Sequence, residues 1–316
     1  MYLYKILLEI NHLIKYNKNR RAERMEISEG EKMKKLLLVS IAILISLFSM
    51  SGCSPAANST DNTDVIEAVS DIESYKGETE LYFTAHADGK EIAMGTTGKI
   101  NLKSEPFFAD IDLSISSKQD EADEVTTTSR MILNTQEDVN TVYLQHNNEW
   151  QKEVVEAENF RKAASQYDVM ENAKLIMEAS KNIQPFGTEQ YNGVTADKYE
   201  GTITKSAMPE LLEDTGSLAL VGTNIGSKYF TECEDLPVTV WVDGNNVILG
   251  YEIDLTEVVQ NLFYALYDEN NITEEESMIK FDSYTAKGTV LSYNENIDTT
   301  IPADALNAAE VNKNIN

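Results

Sequence analysis

Residues 139–181 read VNTVYLQHNNEWQKEVVEAENFRKAASQYDVMENAKLIMEASK, and the spacing of apolar positions changes halfway along. Up to residue 155 two short runs alternate around Asn147-Asn148, the pattern of a hairpin with one face toward a core. Beyond Glu156, the residues Phe160, Ala163, Tyr167, Met170, Ala173 and Met177 recur every three or four positions. That spacing predicts one amphipathic helix over 157–181, with Tyr167 and Met170 on its apolar face. A two-periodic ribbon that runs into a greasy rod decides the fold, because the rod must bury its stripe against the ribbon.

Working upstream, the two-residue period extends back to Glu78. Runs at about 91–102, 106–117 and 125–135 are separated by Asp88-Gly89, Ser104-Glu105 and the acidic stretch 119–124. Turn signals at such intervals predict an antiparallel meander, and the many Thr, Ser and Asp on alternate positions predict one wet face. Asp64 with Glu67 reads as a capping box for a short helix over 65–74.

Working downstream, strands are expected at 183–190 and 194–204 around Asn192-Gly193. A short helix capped by Ser206 follows, ending at Gly216. Runs 236–243 and 246–255 flank Gly244-Asn245, read as a two-residue hairpin loop. That loop would pair Val242 with Val247, Val240 with Leu249 and Val238 with Tyr251, all on one apolar face. A helix capped by Asp254 and Glu257 then carries a stripe that includes Val259 and Phe263. Two final strands, 276–284 and 286–294, complete the pattern, and 298–316 reads as a surface tail.

The fold class implied is α+β: a curved antiparallel sheet, an open half-barrel, wrapped around a few helices. Residues 64–297 form its single domain, with no fixed-length repeat and no proline-rich linker. The apolar space between sheet and helices would be lined by Val238, Val240, Val242, Leu249 and Tyr251 from the hairpin. Val259, Phe263, Tyr167 and Met170 would line it from the helices. Residues 215–227, TGSLALVGTNIGS, hold Leu218, Leu220, Val221 and Ile225 among glycines and read as a lid over that space.

The N-terminus carries an address. Met33-Lys34-Lys35 is followed by the charge-free run Leu36–Phe48 and by Ser51-Gly52-Cys53, the layout of a secretory signal over 33–52. The apolar run is too short to span a bilayer as a helix. Residues 1–32 precede it as the product of an upstream start site or as an extended basic n-region. Residues 53–63 are polar and small, a flexible tether.

The whole chain has 316 residues, with 26 Lys+Arg against 53 Asp+Glu. Beyond residue 52 the formal charge falls to −31. Such a surface repels phosphate backbones and excludes nucleic acid as a partner. The two cysteines exclude a disulfide framework, since only Cys233 remains as a thiol after processing at Cys53.

Ser51-Gly52-Cys53 resembles a lipobox. The resemblance implies diacylglyceryl and palmitate modification at Cys53 and a place on the extracytoplasmic face of the cell membrane. The element order resembles the LolA/LolB and LppX/LprG group of lipoprotein carriers. Several segments resemble an uncharacterised Gram-positive lipoprotein family: Tyr143-Leu144 with Trp150-Gln151-Lys152, Tyr199–Ile203, Val240–Asp243 and Gly250–Asp254. That likeness implies acyl chains held between sheet and helices, with no invariant ligand-binding residue to carry over.

No catalytic constellation accompanies this. His86 and His146 lie in alternating strands beside turns, and no zincin, nucleophile-elbow, P-loop or dinucleotide motif is present. Cys233 sits between Glu232 and Glu234, which raises a thiol pKa rather than lowering it. The acidic runs lack calcium-loop spacing. No enzyme, cofactor or metal is therefore expected. The sequence points to a lipid-anchored envelope protein that binds a lipid or other apolar ligand. Its alternative is an interaction or sensor module with a filled core and a protein partner.

Overall fold

The computed structural model describes residues 72–87, 89–220, 226–269 and 279–310. Cys53, the signal segment, the tether and the expected helix up to residue 71 lie outside the described residues; Ser74 already belongs to a strand.

Six strands form the first run: β1 (Ser74–Ala87), β2 (Lys90–Lys103), β3 (Phe108–Gln119), β4 (Val125–Gln136), β5 (Val139–His146) and β6 (Glu149–Val155). Helices α1 (Ala157–Ser165) and α2 (Val169–Ala179) follow, then β7 (Ser180–Tyr191), β8 (Val194–Ile203) and α3 (Met208–Asp214). The chain continues through a 3-10 turn (Ser227–Phe230), β9 (Leu236–Asp243), β10 (Ile248–Asp254), α4 (Thr256–Glu269) and β11 (Lys280–Tyr293). It ends in α5 (Ala303–Leu306) and β12 (Ala309–Glu310).

All twelve strands join one curved, unclosed sheet in the order β12-β6-β5-β4-β3-β2-β1-β11-β10-β9-β8-β7. Every pairing is antiparallel except β12 with β6. Two-residue turns with left-handed backbone, Asn147-Asn148 (φ 50° and 66°) and Asn192-Gly193 (φ 51° and 79°), tie neighbours together. The two halves meet where β11 lies beside β1 over its whole length. Helices α2 and α4 pack on the concave face, where Val169, Ala173, Ile176 and Val259 are fully buried.

Several elements depart from the sequence reading. The single helix over 157–181 is two helices. The chain extends at Asp168 (φ −79°, ψ 95°), whose carboxylate accepts from the Glu171 N–H and caps α2. Helix α3 starts after Ala207 with no side-chain cap, so Ser206 does not cap it. At α4, Asp254 accepts from the Thr256 N–H and hydroxyl rather than from Glu257. Over the described residues, the expected final hairpin is the single strand β11, paired with β1 on one side and β10 on the other.

The β9–β10 register also differs. Asp243 Oδ1 accepts from the N–H groups of Asn245 and Val247, and Asn246 takes φ 63°, so the loop has three residues. A bulge at Leu249 absorbs one more. The pairs are therefore Val242–Ile248, Val240–Tyr251 and Val238–Ile253. Leu249 consequently faces the convex side, in a small cluster with Trp241, Tyr191 and Ala196, and not the main core.

The described part of the tail, up to residue 310, is docked where a surface path was expected. Ile297 and Ala305 are buried on the convex face with Phe108, Ile132 and Tyr143. The Lys152 ammonium donates to the Leu306 carbonyl at 2.8 Å, and β12 lies along the β6 edge. The opposite edge, β7, contains Pro185, a left-handed Asn182 (φ 55°) and two register shifts, devices that blunt an exposed edge.

Two glycines on adjacent strands make room for two tyrosines on opposite faces. A Cβ on Gly288 would meet the Tyr251 ring at 2.3 Å, and one on Gly250 would meet the Tyr191 hydroxyl at 2.4 Å. Gly288→Ala should therefore lower stability by about 1–3 kcal/mol through overpacking. Gly244→Ala, in open space, should stay within about 0.5 kcal/mol. Urea denaturation of both variants checks the contrast.

Candidate functional site

The site is built where the α1–α2 elbow comes down on the middle of the sheet. The Tyr75 hydroxyl, rising from β1, donates to Asp168 Oδ1 at 3.0 Å and accepts from the Val169 N–H at 2.9 Å. This clamp fixes the elbow over β1 and sets Gln166 and Tyr167 above the strands. On the far side, α3 ends at Thr215, and left-handed Gly216 (φ 64°) turns the chain back as a short roof, 215–220. The Thr215 hydroxyl donates to the Leu211 carbonyl and pairs with Ser217 at 2.7 Å, so the roof hangs from α3.

Between elbow, roof and sheet lies a cleft of about 80 Å³. Its floor is apolar: Leu81 from β1, Met94 from β2, Ile115 from β3, Tyr251 from β10 and Ala286 from β11. Tyr167 and Leu220 close it from above, and Thr79, Thr96 and Gln166 supply polar atoms. Thr96 Oγ1 is buried without a hydrogen-bond partner among the described residues. A second depression, about 490 Å³, lies where β1 enters the sheet. Glu73, Lys103, Asn294 and Glu295 are among its walls, which do not suit a hydrocarbon chain.

Burial sets the protonation states around the cleft. It pushes the Tyr167 phenol up to about 12. It does the same for Tyr251, where the Asn172 side chain offsets it in part. Both remain neutral donors. Burial also raises the Asp168 carboxyl above its ordinary 3.8, against the lowering pull of its hydrogen bonds. Away from the cleft, burial raises the Cys233 thiol as well.

Of the residues singled out in the sequence, Tyr167, Tyr251 and Leu220 line the cleft. Val238, Val240, Val242, Val259, Phe263, Met170 and Leu218 belong to the packed core beside it. Leu249 is on the other face. Val221, Ile225 and Cys53 lie outside the described residues. The sequence reading did not single out Met94, Thr96, Ile115, Gln166 or Ala286. Inward alternation along β2 and β3 carried a signal for the first three. Among the described residues, no group of three or more His, Cys, Asp and Glu stands ready for a metal ion, and no helix is long and apolar enough to cross a membrane.

No family model matches the chain, and no curated protein matches it in sequence. Among solved structures the chain is similar to the lipoprotein LppX of Mycobacterium tuberculosis, with 15% identity, a TM-score of 0.39, and 75% of this chain and 94% of LppX covered. It is similar to LprF of Mycobacterium bovis at 10% identity and TM-score 0.39, covering 77% and 95%. A DUF1329 family protein of Desulfovibrio piger shows 10% identity and TM-score 0.20, covering 75% and 93%. At these scores the likeness decides nothing about what this chain binds.

The Asp168 shift has a readable sign. A carboxyl with a raised folded pKa binds its proton more tightly in the native state, so it subtracts stability as pH rises from about 3.8 through the raised value. Asp168→Asn keeps an oxygen for Tyr75 and the Glu171 N–H but cannot ionise. The stability of the variant minus that of the wild type should climb across that window and then level off. A flat difference in urea titrations at stepped pH would contradict burial of the carboxylate.

Proposed function

We propose that this chain is a non-enzymatic lipoprotein of the cell envelope, anchored to the extracytoplasmic face of the cell membrane through a diacylglyceryl group on Cys53. In this reading it admits an apolar chain between the centre of its sheet and the α1–α2 elbow. The observation that carries it is the cleft: an apolar floor at mid-sheet, covered by the α1–α2 elbow and a short segment hung from α3.

The energetics permit entry. Displacing the roof exposes Leu218, now 5% accessible, at a cost of about 1.5–3 kcal/mol. Each methylene buried in its place returns about 0.8 kcal/mol, so roughly four offset the displacement. One quantity favours the alternative, an interaction or sensor module with a filled core. The cleft holds about 80 Å³, against roughly 300–1,000 Å³ for pockets that enclose a drug-sized ligand.

Organic extraction of purified 54–316 followed by mass spectrometry separates the two readings. Near-stoichiometric lipid is expected for the carrier, and protein that yields none supports the filled-core module. Ala219→Phe, which places a ring in the roof beside the cleft, should abolish the co-purifying lipid while changing stability by no more than about 1 kcal/mol. For the anchor, Cys53→Ala should release the chain into the medium or stall its processing. Unchanged membrane retention would defeat that part of the proposal.

A further inference from the structure

The register of the sheet sorts charge by face, and the sorting bears on the headgroup of any ligand. Besides β10, which contributes Tyr251, four strands floor the cleft. Their inward positions run from Thr79 to Ala85 in β1, Ile92 to Leu102 in β2, Ala109 to Ser117 in β3, and Tyr284 to Val290 in β11. None of these side chains is charged. Glu80, Lys99, Asp110, Asp112 and Lys287 occupy outward positions on the same stretches.

Lys287 is the one basic residue along the cleft wall, and its ammonium is on the other side. It pairs in register with Glu80 and lies 5.9 Å from the ring of Tyr191, whose hydroxyl bonds Thr289 on the convex face. The roof 215–220 has no charged residue. The elbow contributes an acid, Asp168, rather than a base.

We propose that the cleft selects uncharged single-chain amphiphiles, such as acyl esters of a polyol, over anionic ones of the same chain length. The inference rests on the cleft being the ligand site. A carboxylate or phosphate carried into this space would lose its water and meet no counter-charge, an expensive burial. A hydroxyl or ester meets partners it can use. The unpartnered Thr96 Oγ1 and the Gln166 amide are within the walls. The Tyr167 phenol, protonated at neutral pH, lies in the same walls.

The test compares monoolein with oleate on purified 54–316 at neutral pH, each below its aggregation concentration. Monoolein should bind about tenfold tighter or better. The ratio should persist at about 1 M salt, where the Debye length is about 3 Å and the overall negative charge is screened. Thr96→Lys should shift the ratio toward oleate. Equal or tighter binding of oleate by the wild type overturns the inference and leaves the cleft intact. A preference that vanishes in salt also overturns it, since net charge and not the concave face would then be responsible. Binding of neither probe overturns the cleft reading itself, and this inference with it.

Discussion

The pairing of β1 with β11 holds the molecule together. Every other antiparallel neighbour in the sheet is adjacent along the chain, reached through a turn or a helical connection, but these two strands are about two hundred residues apart. Their ladder turns two separate meanders into one surface long enough to curve around α2 and α4. It also places Leu81 beside Ala286 and so creates the middle of the cleft. Forming it requires closing a very long loop, a step whose entropic cost the local hairpins do not share. The aromatic contacts of Phe83 with Phe281 and Tyr284, with centroids 5.5 and 5.8 Å apart, reward that closure at one end of the ladder.

The elbow depends on the same ladder. Tyr75 reaches Asp168 only because β1 is fixed at mid-sheet, and the clamp then decides where α1 stops and α2 begins. A sequence position with no catalytic chemistry thus sets the height of the cleft. The polar groups there serve geometry: a phenol, a carboxyl and two backbone N–H groups satisfy one another in a place where unpaired groups would be costly.

Most strands were legible because alternation and turn dipeptides agree, as at Asn147-Asn148 and Asn192-Gly193. The helix break was not, because apolar spacing carries on across residues 166–168. Asp168 followed by Glu171 is nonetheless an N-cap pattern and could have marked it. The β9–β10 register was ambiguous by nature, since Gly244-Asn245-Asn246 supports either loop length and only the Asp243 side chain decides. Ile297, Ile301 and Ala305, spaced four apart, hinted at a docked tail. The cleft left only a partial trace, in Tyr167, Tyr251, Leu220 and the inward alternation of β2 and β3. Its walls come from residues 79–81, 94, 96, 115, 166–167, 215–217, 219–220, 251 and 286–287, brought together by long-range pairing.

The two borders of the sheet are finished by different means, one partly covered by β12 and the other roughened by proline and irregular backbone. Rolling into a closed cylinder is the usual remedy for raw strand margins, and it would have shut the hollow side. Because this molecule tames its margins one by one, it can remain a trough. The concave side therefore stays open along its rim without the self-stacking that open ribbons invite.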